Sequence, residues 1–421
     1  MSQPMNNPPR VARKGKPTSP RIDAFVVVVP GLEQLLLEEV QRLGVRPARA
    51  VRGGVECTIT WPQLWAINLR SRLATRVVVR VARFHADGFF SLQKGLQAVD
   101  WSAWLAADAG VAVAATTDKV SKLYHSVAVE ERVVEALGRP LGAQAVQVRV
   151  QRDLVTVSLD ASGAPLHHRG WRGPAGKAPM RESLAAALVL ASGWDAKSPL
   201  VDPFCGSGTV AIEAAMIARR MAPGRNRSFA FEQWPSFDAD GWQRLLRGAD
   251  GDVVEKCPPI IASDRDAGAI AAVVENAPRA GVGANVEAVQ RTVSDLVLPA
   301  RAGWLVSNPP YGHRVGGQGG GDKDLRNLYD RFGAVLRERA TGWHVALLAS
   351  HDTPVNRLKL PLQPALETAN GGIDVTVHAG VVGPYIGAVG GASRGLHPVA
   401  EPGLDDTQPA DTPAAPDDLA D

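Results

Sequence analysis

The sequence predicts an α/β protein in two parts: a small α+β half over residues 22–165, then a doubly wound, mainly parallel sheet over residues 180–386. Two observations carry this. Beyond Met180, short apolar runs alternate regularly with helical stretches, as strands do when helices cross between them. Before it, strand-like and helical runs alternate less regularly and close in a hairpin. Between the halves, the segment ASGAPLHHRGWRGPAGKAP is dense in glycine and proline, and residues 166–179 read as a linker.

In order, Ala24–Val29 is the first apolar strand and Leu32–Leu43 an amphipathic helix, followed by further short strands to residue 74. Strands are expected at Arg76–Val81, Val111–Ala115 and Val146–Val150, with Asp153–Ser158 as a hairpin partner. In the second half, strand Pro199–Val201 precedes helix Thr209–Met221, and strand Pro259–Ala262 precedes helix Asp266–Ala280. Strands Val286–Val289 and Trp304–Ser307, helix Lys323–Arg339 and strand His344–Ala349 complete the alternation. Ligands of such sheets bind at the carboxyl ends of the strands. A fragment from Met180 to about Ile386 is expected to keep ligand binding by itself.

Composition narrows the class. No apolar run among the 421 residues reaches the length of a membrane span, and no apolar leader follows the N-terminal basic residues, so a cytoplasmic protein without membrane partners is expected. Cys57, Cys205 and Cys257 lie too far apart for a disulfide framework or a metal knuckle. Residues 1–21 carry five basic side chains and no acid, and read as a disordered basic arm; residues 387–421 read as a disordered acidic tail. A basic arm on a mildly basic body suits nucleic acid, and a monomer is expected.

The chemistry begins at Asp202-Pro203-Phe204-Cys205-Gly206-Ser207-Gly208-Thr209. Gly206 and Gly208 permit a sharp turn and close backbone approach, and Thr209 opens a helix. Neither a dinucleotide GxGxxG nor a Gly-Lys-Ser/Thr is present, and Asp202 would repel a phosphate. A cation such as an ammonium or sulfonium suits it. Asp264, followed by Arg265, ends the next strand where a carboxylate can accept from ribose hydroxyls. Asp295 follows the third strand, near where an adenine amino group would lie. Each acid alone could be a turn former. Together they describe S-adenosylmethionine, a ligand with ammonium, ribose and adenine but no phosphate. Cys205 reads as packing, with no histidine placed in sequence to activate it.

The strand at 304–307 exits through Asn308-Pro309-Pro310-Tyr311. An exocyclic base amine is a poor nucleophile because its lone pair is delocalised. An Asn308 side-chain carbonyl and a Pro309 backbone carbonyl, fixed by two rigid prolines, can hold its hydrogens and stabilise developing charge. The Tyr311 ring offers a face for an unstacked base.

With these residues in place, the chain resembles the THUMP-domain guanine-N2 RNA methyltransferases, the RlmL-like family. DPFCGSGT at 202–209 looks like the family's cofactor loop and NPPYG at 308–312 its catalytic motif. SLDASGAPLHHRGWR at 158–172 resembles the segment closing the THUMP domain, and RESLAAALVLASGW at 181–194 the first methyltransferase helix. The resemblance implies a ferredoxin-like domain at 22–74, a THUMP domain at 75–165 and a Rossmann-like methyltransferase domain at 180–386. It implies S-adenosylmethionine as cofactor, without metal, and structured RNA as partner, 23S ribosomal RNA before transfer RNA. Lys119, Lys122, His125, Arg169 and Arg172 are then the candidate RNA contacts. Some family members carry Glu where this chain has His313, and the second methyltransferase domain of the fused enzymes is not expected here. Two rival readings are an adenine-N6 DNA methyltransferase and a non-catalytic RNA-binding assembly factor.

Overall fold

The computed structural model describes residues 21–173, 180–311 and 322–384. The arm, the tail, His313 and most of the glycine-rich part of the linker lie outside the described residues.

The first half builds β1 (Ile22–Val27), α1 (Glu33–Arg42), β2 (Ala48–Val51), β3 (Gly54–Ile59), α2 (Trp61–Arg70) and β4 (Arg76–His85). It continues through α3 (Phe89–Gln97), β5 (Val111–Thr117), α4 (Ser126–Leu137), β6 (Gln144–Gln151) and β7 (Leu154–Asp160). One seven-stranded sheet, β2-β3-β1-β4-β7-β6-β5, holds all seven strands. The boundary expected between residues 74 and 75 therefore crosses a continuous sheet. Strand β4 pairs antiparallel with β1 on one side and β7 on the other, with Val79 opposite Ala24 and Val78 opposite Asp160. Residues 61–70 form a helix where short strands were expected. Pro62 sits in the first turn, where its missing N–H costs nothing, and Gln63 Oε1 accepts the Thr60 N–H at 3.0 Å.

The second half follows the expected alternation: α5 (Glu182–Ala191), β8 (Leu200–Asp202), α6 (Thr209–Ala218), α7 (Ala239–Gly251), β9 (Ile260–Asp264), α8 (Ala267–Arg279), β10 (Val286–Gln290) and β11 (Trp304–Ser307). Helix α9 (Asp322–Arg339), β12 (His344–Ser350), β13 (Gln363–Asn370) and β14 (Ile373–Val381) complete it. The sheet order is β10-β9-β8-β11-β12-β14-β13, with β14 alone running antiparallel to the other strands. Helices α5 and α6 cover one face, while Leu325, Tyr329, Phe332, Val335 and Leu336 of α9 cover the other. Chain order reverses between β8 and β11. That switch point opens a crevice at the strands' carboxyl ends, where the DPFCGSG and NPPY segments both begin. The β13–β14 hairpin was not expected, although Gly371 and Gly372, with φ of 59° and 78°, form the two-residue turn that such a dipeptide favours. Among the described residues, no helix is long and apolar enough to cross a membrane.

The two halves share a core. After α6, the chain leaves the second sheet, and Ala222, Phe229, Phe231, Trp234, Trp242 and Ala249 join the apolar cluster of the first half. Ring centroids of Trp104 and Trp234 lie 5.5 Å apart, and those of Phe231 and Trp242 5.3 Å. The Arg227 guanidinium donates to the Pro165 carbonyl at 2.6 Å and the Ser162 carbonyl at 3.2 Å. Without the first half these rings lose their partners, so the fragment from Met180, expected from the sequence to keep ligand binding, would expose them. Residues 180–384 expressed alone should bind a hydrophobic dye and lose a single cooperative urea transition. In the full chain, Phe231→Ala should lower stability by about 3–5 kcal/mol, measured by the same unfolding.

Candidate active site

The loop after β8 is held from three sides. Asp202, 1% exposed, accepts the Phe204 N–H at 3.2 Å and the Ser307 hydroxyl at 2.5 Å through the same oxygen. Burial pushes its carboxyl up to about 7; the nearby Asp264 charge adds to this, and the two hydrogen bonds oppose it. The Gly206 N–H, at a φ of 50°, donates to Asp264 Oδ2 at 3.0 Å. A Cβ on Gly206 would meet no atom within 4 Å, so the loop faces an open cradle. At Gly208 the φ of 84° favours glycine at the N-cap of α6, and a Cβ there would press on the Val273 side chain of α8 at 3.0 Å.

The remaining loop residues serve mainly to fix its shape. Pro203 is buried, and the Ser207 carbonyl accepts from Asn276 Nδ2 at 3.3 Å. The Cys205 N–H donates to the Ser263 carbonyl at 3.1 Å, and burial pushes its thiol up, which leaves no thiolate nucleophile. Thr209 Oγ1 accepts from Arg172 at 3.1 Å.

Asp264, half-buried at the end of β9, also accepts the Asp266 N–H at 3.0 Å, keeping lone pairs free toward the cradle. Arg265 is exposed, and its carbonyl accepts from Gln290 at 3.1 Å. Asp295, exposed in the turn after β10, accepts the Thr292 hydroxyl at 2.6 Å. The chain thus brings three carboxyl groups, those of Asp202, Asp264 and Asp295, to neighbouring strand ends at one edge of the sheet.

At the end of β11, Asn308 Oδ1 is buried and has no hydrogen-bond partner among the described residues. Pro309 is buried beside it, and the Pro310 carbonyl accepts from the Tyr329 hydroxyl of α9 at 3.3 Å. Tyr311 departs from expectation. Its ring is 4% exposed and packs in the core of the second half, and its hydroxyl accepts from Asn370 Nδ2 at 2.7 Å. It braces the loop and offers no open face to a base. Sequence reasoning missed Ser307, Tyr329 and Asn370; only Ser307, adjacent to the motif, carried any signal.

The five candidate RNA contacts separate. Lys119, Lys122 and His125 are exposed between β5 and α4, with Lys122 3.5 Å from Asp87. Arg169 is a correction: it is 2% exposed, and donates to Glu213 at 3.3 Å, to the Leu166 carbonyl at 2.7 Å and to the Arg72 carbonyl at 2.6 Å. Glu213 on α6 is fully buried and demands this cation. Arg172 is likewise committed inward, to Glu182 at 2.8 Å and the Met180 carbonyl at 2.9 Å. Neither is a surface group available to phosphate.

Residues 169–378 match the family described as RMKL-like, methyltransferase domain, and residues 23–78 match the RlmL ferredoxin-like domain. The chain is similar to SMU.472, solved in complex with SAH: 27% identity, TM-score 0.78, with 87% of this chain and 99% of that one covered. It is similar at 31% identity and TM-score 0.77 to a Listeria monocytogenes protein described as a predicted N6-adenine-specific DNA methylase, over 87% of this chain and 97% of that one. TrmN from Thermus thermophilus shares the fold at 24% identity and TM-score 0.64, over 85% of this chain and 98% of that one. Fold, crevice and comparisons together define an S-adenosylmethionine-dependent methyltransferase, with a ferredoxin-like N-terminal domain and a Rossmann-like catalytic domain. Within that class, the chain belongs to the RlmL-like family.

The Asp202 carboxyl offers a pH test of the cradle. A group pushed up to about 7 must shed its proton before it can face a cation, so cofactor binding should release protons and tighten as pH rises through 7. Calorimetry should give an affinity about tenfold weaker at pH 6 than at pH 8. Asp202→Asn should flatten that dependence.

Proposed function

We propose that this protein transfers a methyl group to the exocyclic N2 of a guanosine in structured RNA, with 23S ribosomal RNA as the leading substrate and transfer RNA as the alternative. One observation carries the reading: a buried side-chain acceptor, Asn308 Oδ1, has no hydrogen-bond partner among the described residues and stands at the mouth of the cofactor crevice. A buried acceptor left unmatched costs roughly 1–3 kcal/mol, and a base amine is the donor it lacks. Bound S-adenosylmethionine supplies an electrophilic methyl group. Asp202, Gly206 and Gly208 would hold its methionine end, Asp264 its ribose and Asp295 its adenine edge. Pro203, Cys205, Ser207, Thr209 and Arg265 would shape that pocket.

Asn308 Oδ1 and the Pro309 carbonyl would orient the amine by accepting its hydrogens and stabilise the positive charge as the nitrogen attacks. Pro310 and Tyr311 keep both acceptors in register from behind. The ferredoxin-like domain, together with a THUMP domain over the remainder of the first half, would grip RNA, with Lys119, Lys122 and His125 the exposed contacts. The RlmL-type first domain supports RNA over DNA. The description of the Listeria protein supports the second reading, adenine N6 in DNA.

Methyl incorporation into RNA and DNA from cells lacking the gene, with mass mapping of N2-methylguanosine, separates the two. Asn308→Ala should lower the single-turnover rate about a hundred- to thousandfold while cofactor affinity holds. Asn308→Asp, which keeps an acceptor of similar shape, should retain more activity than Ala. Near-normal turnover by Asn308→Ala would sink the mechanism. Asp264→Ala should weaken cofactor binding by on the order of 2 kcal/mol by calorimetry, through lost ribose bonds and a loosened Gly206.

A further inference from the structure

Strand β13 touches the N-terminal half near its end and the catalytic loop two residues later. At the first contact, the Thr368 hydroxyl donates to the Pro30 carbonyl at 2.8 Å. Gly31 lies so close that a Cβ there would come 2.0 Å from the Glu367 carbonyl oxygen. The Pro30–Gly31 turn is itself braced, since Glu33 accepts the N–H groups of Gly31 at 2.8 Å and Gly53 at 2.9 Å. At the second contact, Asn370 Nδ2 donates to the Tyr311 hydroxyl at 2.7 Å. Residues 368 and 370 project to the same face of the strand, and both are buried. Their contacts therefore share one short, rigid piece of backbone, closed immediately afterwards by the Gly371–Gly372 turn.

We propose that β13 is a strut through which the N-terminal half sets the position of the catalytic loop, with Asn370 as the positioning residue that acts through Tyr311. This rests on the assignment of Asn308 and Pro309 as amine acceptors. Tyr311 stands three residues after Asn308, across two prolines whose φ cannot relax, so a shift at Tyr311 is passed on to both acceptors. Displacing a reacting group by about 1 Å can cost about a hundredfold in rate even when the cause is remote. The half that would grip RNA thereby also aligns the loop that acts on it.

The test uses the full chain with four single substitutions: Asn370→Ala, Thr368→Val, Gly31→Ala and, as control, Gly44→Ala. Gly44 shares the positive φ of Gly31, at 78° against 91°, but a Cβ there would meet nothing within 4 Å. It reproduces the backbone strain without the contact. Two readouts are taken: the single-turnover rate with saturating S-adenosylmethionine and total RNA from cells lacking the gene, and hydrogen exchange in peptides spanning 305–311. The first three variants should slow transfer, Asn370→Ala by roughly tenfold or more. They should raise exchange at 305–311 and leave cofactor affinity within about twofold, because the loop at 202–209 is held by other groups. Asn370→Ala combined with Tyr311→Phe should be no slower than the slower single variant, since both remove one bond. Should Gly31→Ala fail to fold, Thr368→Val carries the same test. If Thr368→Val and Gly31→Ala match Gly44→Ala in both readouts, the strut is wrong. If the unaltered protein transfers no methyl to RNA, the assigned reaction falls instead, and the exchange readout alone decides the strut.

Discussion

The hydrogen bond from Ser307 to Asp202 joins the last residue of β11 to the last residue of β8, 105 positions earlier in the chain. It lies across the point where the strand order reverses, with both partners almost wholly buried. Each partner opens a functional segment: the glycine loop follows Asp202, and the Asn-Pro-Pro-Tyr segment follows Ser307. Together with the pairing of β8 and β11, this buried contact holds the glycine loop and the proposed amine acceptors at a set distance. Loss of the hydroxyl would leave a buried carboxyl with one fewer donor in a low-dielectric site, where an unmatched polar atom is most costly.

Around that contact, the molecule is braced by buried polar groups that tie its halves together. Glu213, at 0% exposure on α6, is met by Arg169 at 3.3 Å and Arg72 at 3.6 Å. Arg72 also donates to the carbonyls of Met216 at 3.1 Å and Met221 at 2.5 Å, near the end of the same helix. Breaking such a set by removing one member strands a charge, so its geometry is strongly specified even where its net contribution to stability is small. Because Gly208 caps α6, the N-terminal half reaches the glycine loop along one helix.

What could be read from the sequence was what is local. The glycine loop, the proline pair and nearly every parallel strand announce themselves within a few residues, through turn chemistry and apolar runs, and the structure places them within a residue or two of expectation. What could not be read depends on partners distant in the chain. Arg169 looks like a linker cation until Glu213, 44 residues on, is seen beneath it. Tyr311 looks like a stacking platform until Asn370, 59 residues on, is seen holding its hydroxyl. The aromatic residues from Phe229 to Trp242 carry no mark of which half they serve, since apolar character says only that a side chain is buried. The hairpin at Gly371–Gly372 and the helix behind Thr60 and Pro62 are different: their signals were present, but short strands were read over the helix and no element was read over the hairpin.

The sharing of aromatic residues between the halves also fixes an order of events during synthesis. The strands of the first sheet are complete once Asp160 has been made, but the core against α2 is not closed until Phe231, Trp234 and Trp242 arrive. At about 5–20 residues per second, the ribosome takes on the order of ten seconds to cover that interval. Through it, Trp61, Trp65 and Trp104 lack the ring partners that the later stretch supplies, and the nascent chain presents an apolar surface that no later residue of the first half can cover. The stretch between α6 and β9 is thus the closing piece of a domain whose sheet was finished long before.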